Sequence, residues 1–506
     1  MATRKDQLDA FVFARRRMVA NLVAPSPTGS DEGAPRPVKT FFTSAIISAI
    51  AVAGVAVLGV FKPSAPSNWQ SGLAVDSSSG AAYIMGTTDK ELHPVVNITS
   101  ARLLLGATFK KFDVPDKVIN GQGVTIGAPY GIGGAPPDVP SAGSVDITQW
   151  TLCMQSKKGQ QQGDSGRQTV LEIGYGQGAD DKVPSSTAFV VHDSSHTNYL
   201  VAGDTAYKVK NNLAITAFNS QVSASNPWVS DAWLKAFHQG ADLVFPTVDG
   251  FGDSLPGGLP SQPGTHVGDY GKVSTSSGQV TGYIETKHGL ISVNSFVYQL
   301  FTSQPALANS SVKELKTLTA ADVNAAQADN EQTDARKSLT GAGVDWPTTP
   351  QSINDADGQE GQYAVLCTSF SGAYDGNDPH LDMYNGPGLP QKLDNGAGIV
   401  QTGGDNLADI VFVEPGHGAM ARDISGGANL TNGAVYLVTD TGQRYEMTTN
   451  ATVTGPDGKA AQTSAIKQLQ YGNVPIKPVP DNWMQLVQQG AQLDPTLAGT
   501  TPQVNQ

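Results

Sequence analysis

Apolar positions along the chain fall into three regimes. From Phe41 to Phe61 the run FFTSAIISAIAVAGVAVLGVF holds 21 residues without a charge or a proline, and as a helix it would span about 30 Å of hydrocarbon. Forty residues precede it, and Lys62-Pro63-Ser64 follows it where a cleaved signal peptide would carry a small-x-small site. The pattern predicts a retained transmembrane helix. Upstream, Leu8, Phe11, Val12, Met18, Val19 and Leu22 recur near i, i+3/4, i+7, with Arg15, Arg16 and Arg17 crowded at one end. That spacing predicts a short amphipathic helix lying on the inner leaflet or docked on a partner. Downstream, short alternating runs end in Gly/Asp turns and predict hairpins. A helical stretch is expected from Leu318 to Gln332, where Thr319 precedes Asp322 in a capping-box-like arrangement. The tail after Asp494 is expected to fray.

The hairpin region repeats itself. Trp233-Leu-Lys-Ala-Phe-His-Gln-Gly240-Ala-Asp-Leu243 is matched 250 residues later by Trp483-Met-Gln-Leu-Val-Gln-Gln-Gly490-Ala-Gln-Leu493. Upstream of each lies a Tyr-Leu-Val strand, beginning at Tyr199 and Tyr436, with a returning strand at Tyr207 and Tyr445. A weaker likeness relates Tyr83 and the Leu92–Asn97 stretch to Tyr283 and Leu290–Asn294. Four hairpin-plus-helix units are therefore expected, in two pairs, at about 72–106, 187–244, 272–305 and 425–494. The stretches between them, 107–186 and 345–424, each contain one cysteine. They are assigned to a central core.

Composition narrows the function classes. The chain has 506 residues with 56 Gly and 31 Pro, too many breakers for a long coiled coil. A net charge of −13 argues against nucleic acid as a partner. Residues 1–40 carry seven basic and four acidic residues, so the positive-inside bias predicts a cytoplasmic N-terminus and an exported remainder, 62–506. The stretch 24–37 reads as a flexible tether. In an oxidising envelope space Cys153 and Cys367 can persist as one disulfide across 214 residues; two separately buried thiols are the alternative.

Candidate chemistry is sparse. Gly163-Asp-Ser-Gly166 has the form of a serine-protease nucleophile loop, but Arg167 follows it, the upstream His93 lacks a catalytic context, and a surface loop is the better reading. Gly268–Lys272 and Gly455–Lys459 fall short of phosphate loops. Each lacks the early Gly, and Val273 and Ala460 supply no hydroxyl for magnesium. His192 and His196 have metal-pair spacing without helical periodicity, and Asp375–Asp382 misses the calcium-loop pattern at Pro379. No catalytic, cofactor-binding or metal residues are assigned, and no cofactor is expected.

The run Leu73–Asp76, Gly80–Tyr83 and Leu92–Gly106 (LHPVVNITSARLLLG) closely resembles EccB, a membrane component of actinobacterial type VII (ESX) secretion systems. The resemblance extends to the span ending in Phe61-Lys62-Pro63, to Trp150–Cys153 and Val365–Cys367, to Val413–Arg422 and to the Tyr436–Gly442 repeat. Glu414 departs from the family's usual Pro, and 128–144 and 154–186 are longer and richer in Gly than is typical. The resemblance implies a single-pass membrane protein with a β-rich α+β extracytoplasmic domain of four repeats around a central core bearing a Cys153–Cys367 disulfide. It further implies a structural role in the secretion complex, an inner-membrane location and partners of the EccC (motor ATPase), EccD, EccE and mycosin protease types. Envelope domains would pair as dimers within a hexameric assembly. Leu8, Phe11, Arg15, Arg16, Arg17 and Leu22 would dock on membrane or partner, and Tyr83, Tyr199, Trp233, Gly240, Tyr283, Tyr436, Trp483 and Gly490 would anchor the repeats. An ATPase activity is ascribed within the family, but the incomplete Walker loops oppose it here. A peptidoglycan-binding module is the other alternative, with Trp233, Trp483, Tyr207 and Tyr445 as exposed sugar platforms, although a Trp that recurs in a repeat is more often its core anchor.

Overall fold

The computed structural model describes residues 3–23, 65–121, 123–156, 167–174, 182–184, 187–218, 227–259, 261–262, 264–274, 280–316, 318–319, 321–323, 339, 346–347, 352–353, 365–375, 378–386, 398–401, 406–425, 430–454 and 460–502. The apolar run 41–61, the tether 24–37, the Gly163–Gly166 loop, the Gly455–Lys459 turn and residues 324–332 lie outside these spans. No helix among the described residues is long and apolar enough to cross a membrane. The fold divides into two compact units. One comprises Met1–Trp69, Asp76–Ser79 and Asp113–Gly121, the other Gln70–Val75, Gly80–Phe112 and Gln122–Gln506.

In the first unit, Arg4–Val23 is a helix of 20 residues, longer than the short helix expected. Thr3 and Asp6 cap its start reciprocally: the Thr3 amide donates to Asp6 Oδ2 at 2.9 Å and the Asp6 amide to Thr3 Oγ1 at 3.4 Å. At 100° per residue Leu8, Phe11, Val12, Met18, Val19 and Leu22 share an arc of about 120°. Arg15 falls inside that arc and Phe13 opposite it, so the two faces are less cleanly separated than the spacing suggested.

In the second unit two meanders share one plan. Leu73–Asp76, Ala82–Met85 and Leu92–Pro94 run antiparallel into the helix Ile98–Leu105. Tyr270–Ser274, Val280–Thr286 and Gly289–Val293 do the same into Ser295–Thr302. Each helix starts at an asparagine whose side chain accepts a backbone N–H, Asn97 from Ser100 and Asn294 from Val297.

Two larger sheets share another plan. Thr187–His192, Asn198–Ala202 and Thr205–Lys208 form an antiparallel meander, and His238–Gln239 adds in parallel to its last strand. Gly418–Ile424, Val435–Thr439 and Gln443–Glu446 form the second, joined in parallel by Gln488–Gln489. The strand Gly418–Ile424, counted above with the stretch 345–424, thus hydrogen-bonds into the C-terminal sheet. The two plans pack crosswise. Ala188, Leu200, Ile284, Ile291, Phe296 and Phe301 share one apolar cluster, while Leu103 shares another with Leu437, Tyr445, Leu469 and Leu493. The second repeat is therefore buried against the third, and the first against the fourth.

Between these pairs lies a six-stranded sheet in the order Asp378–Gly386, Val365–Asp375, Trp150–Ser156, Arg167–Ile173, Ile410–Val413, Ile399–Val400. Cys153 and Cys367 are directly opposed in its antiparallel register and form a disulfide. Trp150, Leu152, Leu171 and Leu366 on one face of this sheet join Trp233 and Trp483 in a single core.

The tail corrects the expectation of fraying. Asp494 accepts the Thr496 amide at 2.7 Å and starts the helix Pro495–Ala498. Ala498 is fully buried beside Leu103 and Leu493, and Thr500 takes a hydrogen bond from the Gly131 amide. An Asp cap followed by Pro at the first helical position pre-organises this turn, and the tertiary contacts of Ala498 and Thr500 hold it.

Candidate functional site

The two repeat tryptophans meet where the large sheets join the central one. Ser230 Oγ accepts the Trp233 amide and begins the helix Asp231–Lys235, and the equivalent helix Asp481–Met484 packs beside it. Trp483 Nε1 donates to the Ala236 carbonyl at 2.9 Å, and Asn482 Nδ2 to the Lys235 carbonyl at 2.7 Å. Repeat symmetry would give Trp233 the Leu486 carbonyl in return. That carbonyl already accepts the Ala408 amide at 3.0 Å and Gln401 Nε2 at 2.8 Å, and Trp233 Nε1 has no acceptor among the described residues. Gln401 also donates to the Ala408 carbonyl and accepts the Gln488 amide at 2.6 Å. The central stretch thus seals one repeat and not the other.

Glycine lets the tyrosines of the two large sheets pack. A Cβ on Gly240 would stand 2.6 Å from Tyr207 Cδ1, and one on Gly490 would stand 2.7 Å from Tyr445 Cδ1. Trp233, Trp483, Tyr207 and Tyr445 are all 4% exposed or less. They are core anchors, which corrects the reading of them as exposed sugar platforms: flat aromatic faces already spent on packing offer nothing to a glycan. Tyr436 and Tyr283 are buried, with the Arg444 guanidinium 5.2 Å from the Tyr436 ring centre. Tyr83 and Tyr199 are half-buried. Tyr199 lies against the Trp233 core, whereas Tyr83 and Tyr283 occupy the middle strands of the two smaller meanders. Leu8, Phe11, Arg15, Arg16, Arg17 and Leu22 are exposed on their helix.

Gly268 and Lys272 do not form a phosphate cradle. Gly268 donates its amide to the Glu285 carbonyl, and Lys272 Nζ lies 4.8 Å above the Tyr298 ring. His192 and His196 flank the turn between Thr187–His192 and Asn198–Ala202, where Asp193 Oδ1 accepts the Ser195 and Thr197 amides. Asp382 of the acidic hairpin pairs with Lys182 at 2.6 Å.

Two buried acids were missed by sequence reasoning. Glu172 is fully buried, neither carboxylate oxygen has a hydrogen-bond partner among the described residues, and burial pushes its pKa up to about 8. It stands in register with Thr151 and Phe412 on the disulfide-bearing sheet. Glu285 is pushed up to about 7 by burial and by the charges of Asp269 and Asp322. Burial also opposes ionisation of Asp322, but hydrogen bonds from Ser261 and Thr319 outweigh it and hold the pKa down to about 2. The alternation of each strand placed these glutamates on inward positions, a signal legible only once both faces were known to be covered.

Sequence reasoning also missed Asp89, Glu91 and His93. Their i, i+2, i+4 spacing through a turn into the strand Leu92–Pro94 gathers one ligand atom from each within 4.8 Å. Strand periodicity was the signal available.

A family model described as "Type VII secretion system ESX-1, transport TM domain B" matches residues 1–503. The ESX-1 secretion system ATPase EccB1 of Mycolicibacterium smegmatis (strain MKD8) is 30% identical over 151 residues, 30% of this chain and 30% of that protein. The match therefore spans less than a third of that relative. The ESX-3 secretion system ATPase EccB3 of Mycobacterium tuberculosis (strain CDC 1551 / Oshkosh) is 23% identical over 453 residues, 87% of this chain and 78% of that one. Among solved structures, a chain of the intact ESX-5 inner membrane complex superposes with a TM-score of 0.62 at 20% identity, covering 99% of this chain and 95% of that one. The EccB3 dimer from the ESX-3 core complex gives 0.60 at 18%, covering 85% and 99%. These likenesses show a common fold.

Proposed function

The chain belongs to the EccB family of type VII secretion components, and from that premise we propose that it is a structural core subunit of a type VII secretion membrane complex. The family match over residues 1–503 carries the reading. In this reading the run 41–61 anchors the chain in the inner membrane as a single span, with the N-terminus cytoplasmic and 62–506 in the cell envelope. The helix Arg4–Val23 docks on partner membrane or cytoplasmic segments through Leu8, Phe11 and Leu22, and its arginines meet anionic headgroups. The four-repeat domain supplies self-association, as the EccB3 dimer does among its relatives. Partners of the EccC, EccD, EccE and mycosin types complete the complex.

The test is affinity purification of tagged full-length protein from membranes in mild detergent, with mass spectrometry and native sizing. Recovery of an FtsK-like ATPase and a multi-span membrane protein in a megadalton-scale particle is the expected result. A lone monomer or dimer, under conditions that preserve other envelope complexes, would overturn it. Several relatives carry the name ATPase, so ATP turnover is measured on the purified chain as well. We expect none, because Lys272 lies over the Tyr298 ring of the helix Ser295–Thr302 and not in a phosphate loop.

A further inference from the structure

We propose that Asp89, Glu91 and His93 form a binding site for a divalent transition-metal cation, with zinc(II) as its probe. His93 is 3% exposed, and its ring is stacked on Tyr130 with centroids 3.8 Å and planes 6° apart. Its Nδ1 lies 2.7 Å from the Ala128 carbonyl. A carbonyl only accepts, so Nδ1 carries the ring proton. Nε2 then presents a lone pair, and it stands 3.0 Å from Asp89 Oδ2, a carboxylate oxygen that is also an acceptor. Two acceptors facing each other at that distance need a shared positive centre, either a second ring proton or a metal ion.

A second ring proton could serve two acceptors; the third donor favours a metal. The Glu91 carboxylate converges on the same point, with all three ligand atoms within 4.8 Å of one another. Ligands about 2.1 Å from one ion stand about 3.0–3.4 Å apart at angles of 90–109°, and the Asp89–His93 separation lies at the lower end of that range. Three-point ligation would need the half-buried Glu91 side chain to turn toward that pair. Space for the ion is kept by glycine on two sides. A Cβ on Gly86 would stand 2.8 Å from Nε2 and clash with Asp89 Oδ1, and one on Gly127 would stand 2.7 Å from Glu91 Oε2. Lys90, between the carboxylates in sequence, sends its ammonium to the Thr87 carbonyl instead.

The donor set selects the ion. One imidazole nitrogen and two carboxylates suit zinc and its neighbours and leave a position for water, whereas calcium takes six to eight oxygens. The Nδ1–H bond to a backbone carbonyl is the orienting contact that metal-bound histidines characteristically make. An ion here would pin the turn after Ala82–Met85 to the strand Leu92–Pro94, and through His93 to the segment at Ala128.

The experiment uses full-length protein in detergent, carrying a tag without histidine, stripped with chelator and titrated with zinc(II) against a chromophoric competitor. One zinc per chain is expected to bind at micromolar affinity or tighter, and saturation should raise Tm by at least about 2 °C. The double variant D89N/E91Q, altered only in the turn, should weaken that binding about tenfold or more and lose the Tm rise while melting normally without zinc. Glu91→Gln alone should weaken it less. Zinc uptake with the same stoichiometry and affinity in the wild type and the double variant would overturn the proposal, since it would lie at other histidines. Absence of uptake would equally overturn it and leave a proton alone on Nε2.

Discussion

Trp233 and Trp483 occupy the same place in two repeats, yet among the described residues only Trp483 finds an acceptor for its indole N–H. Replacing either by Phe removes a similar volume, so the difference between the two variants isolates the hydrogen bond. Trp483→Phe leaves the Ala236 carbonyl without that donor, whereas Trp233→Phe discards a donor that had no partner. Trp483→Phe should therefore be the more destabilising by about 1–3 kcal/mol, as thermal or denaturant unfolding will measure. Glu172 makes a second residue-scale prediction. Its folded pKa is about 8 against an ordinary 4.5, so the native state keeps a proton that the unfolded chain releases. The native state is unpenalised below about pH 4.5 and loses stability, on the order of a few kcal/mol, as pH rises to about 8. Glu172→Gln should flatten that slope; an unchanged slope would show that the carboxyl does not titrate in this window. The tryptophans were legible because the repeat marks them twice. Glu172 and the Asp89 cluster were not, because their meaning depends on what covers the strand and on a segment some 35 residues away.

Strands and turns were readable one at a time, since hairpins close locally and Gly/Asp turns announce them. Their assembly was not. That the first repeat packs on the fourth, and the second on the third, rests on contacts between stretches hundreds of residues apart, for which local periodicity carries no signal. The tail shows the converse: Asp494-Pro495 is a helix start in plain view, outweighed by the habit of expecting disorder at chain ends. Two predictions belong to this scale. Gly240→Ala and Gly490→Ala each drive a methyl into a buried tyrosine, and both should destabilise by about 1–3 kcal/mol. Comparable losses would support one packing solution used twice; a neutral result at either position would argue against it. Reducing the Cys153–Cys367 bridge frees a loop of 214 residues, which chain entropy values at up to about 5 kcal/mol. Tm should fall on reduction, and a double Cys→Ala variant should match the reduced protein.

At the scale of the molecule, the helix Arg4–Val23 leaves Leu8, Phe11 and Leu22 exposed at 62%, 64% and 88%, an apolar stripe that the proposed docking on a partner or membrane would cover. Leu8→Glu with Phe11→Glu should abolish copurification of partner subunits while the envelope domain melts unchanged, as scanning calorimetry can establish. Loss of both would place the helix in the fold itself. The covalent topology adds a mechanical consequence. The bridge encloses the second and third repeats, while the first and fourth lie outside it on either side in sequence. A pull applied between the two ends of the chain would run along it to Cys153, cross the sulfurs to Cys367 and leave, so everything between would carry no load. At about 3.3–3.6 Å per residue the bridge hides roughly 700 Å of contour from such a force. Under such a load the chain would stretch only at its two ends, with the second and third repeats kept in reserve behind a single bond.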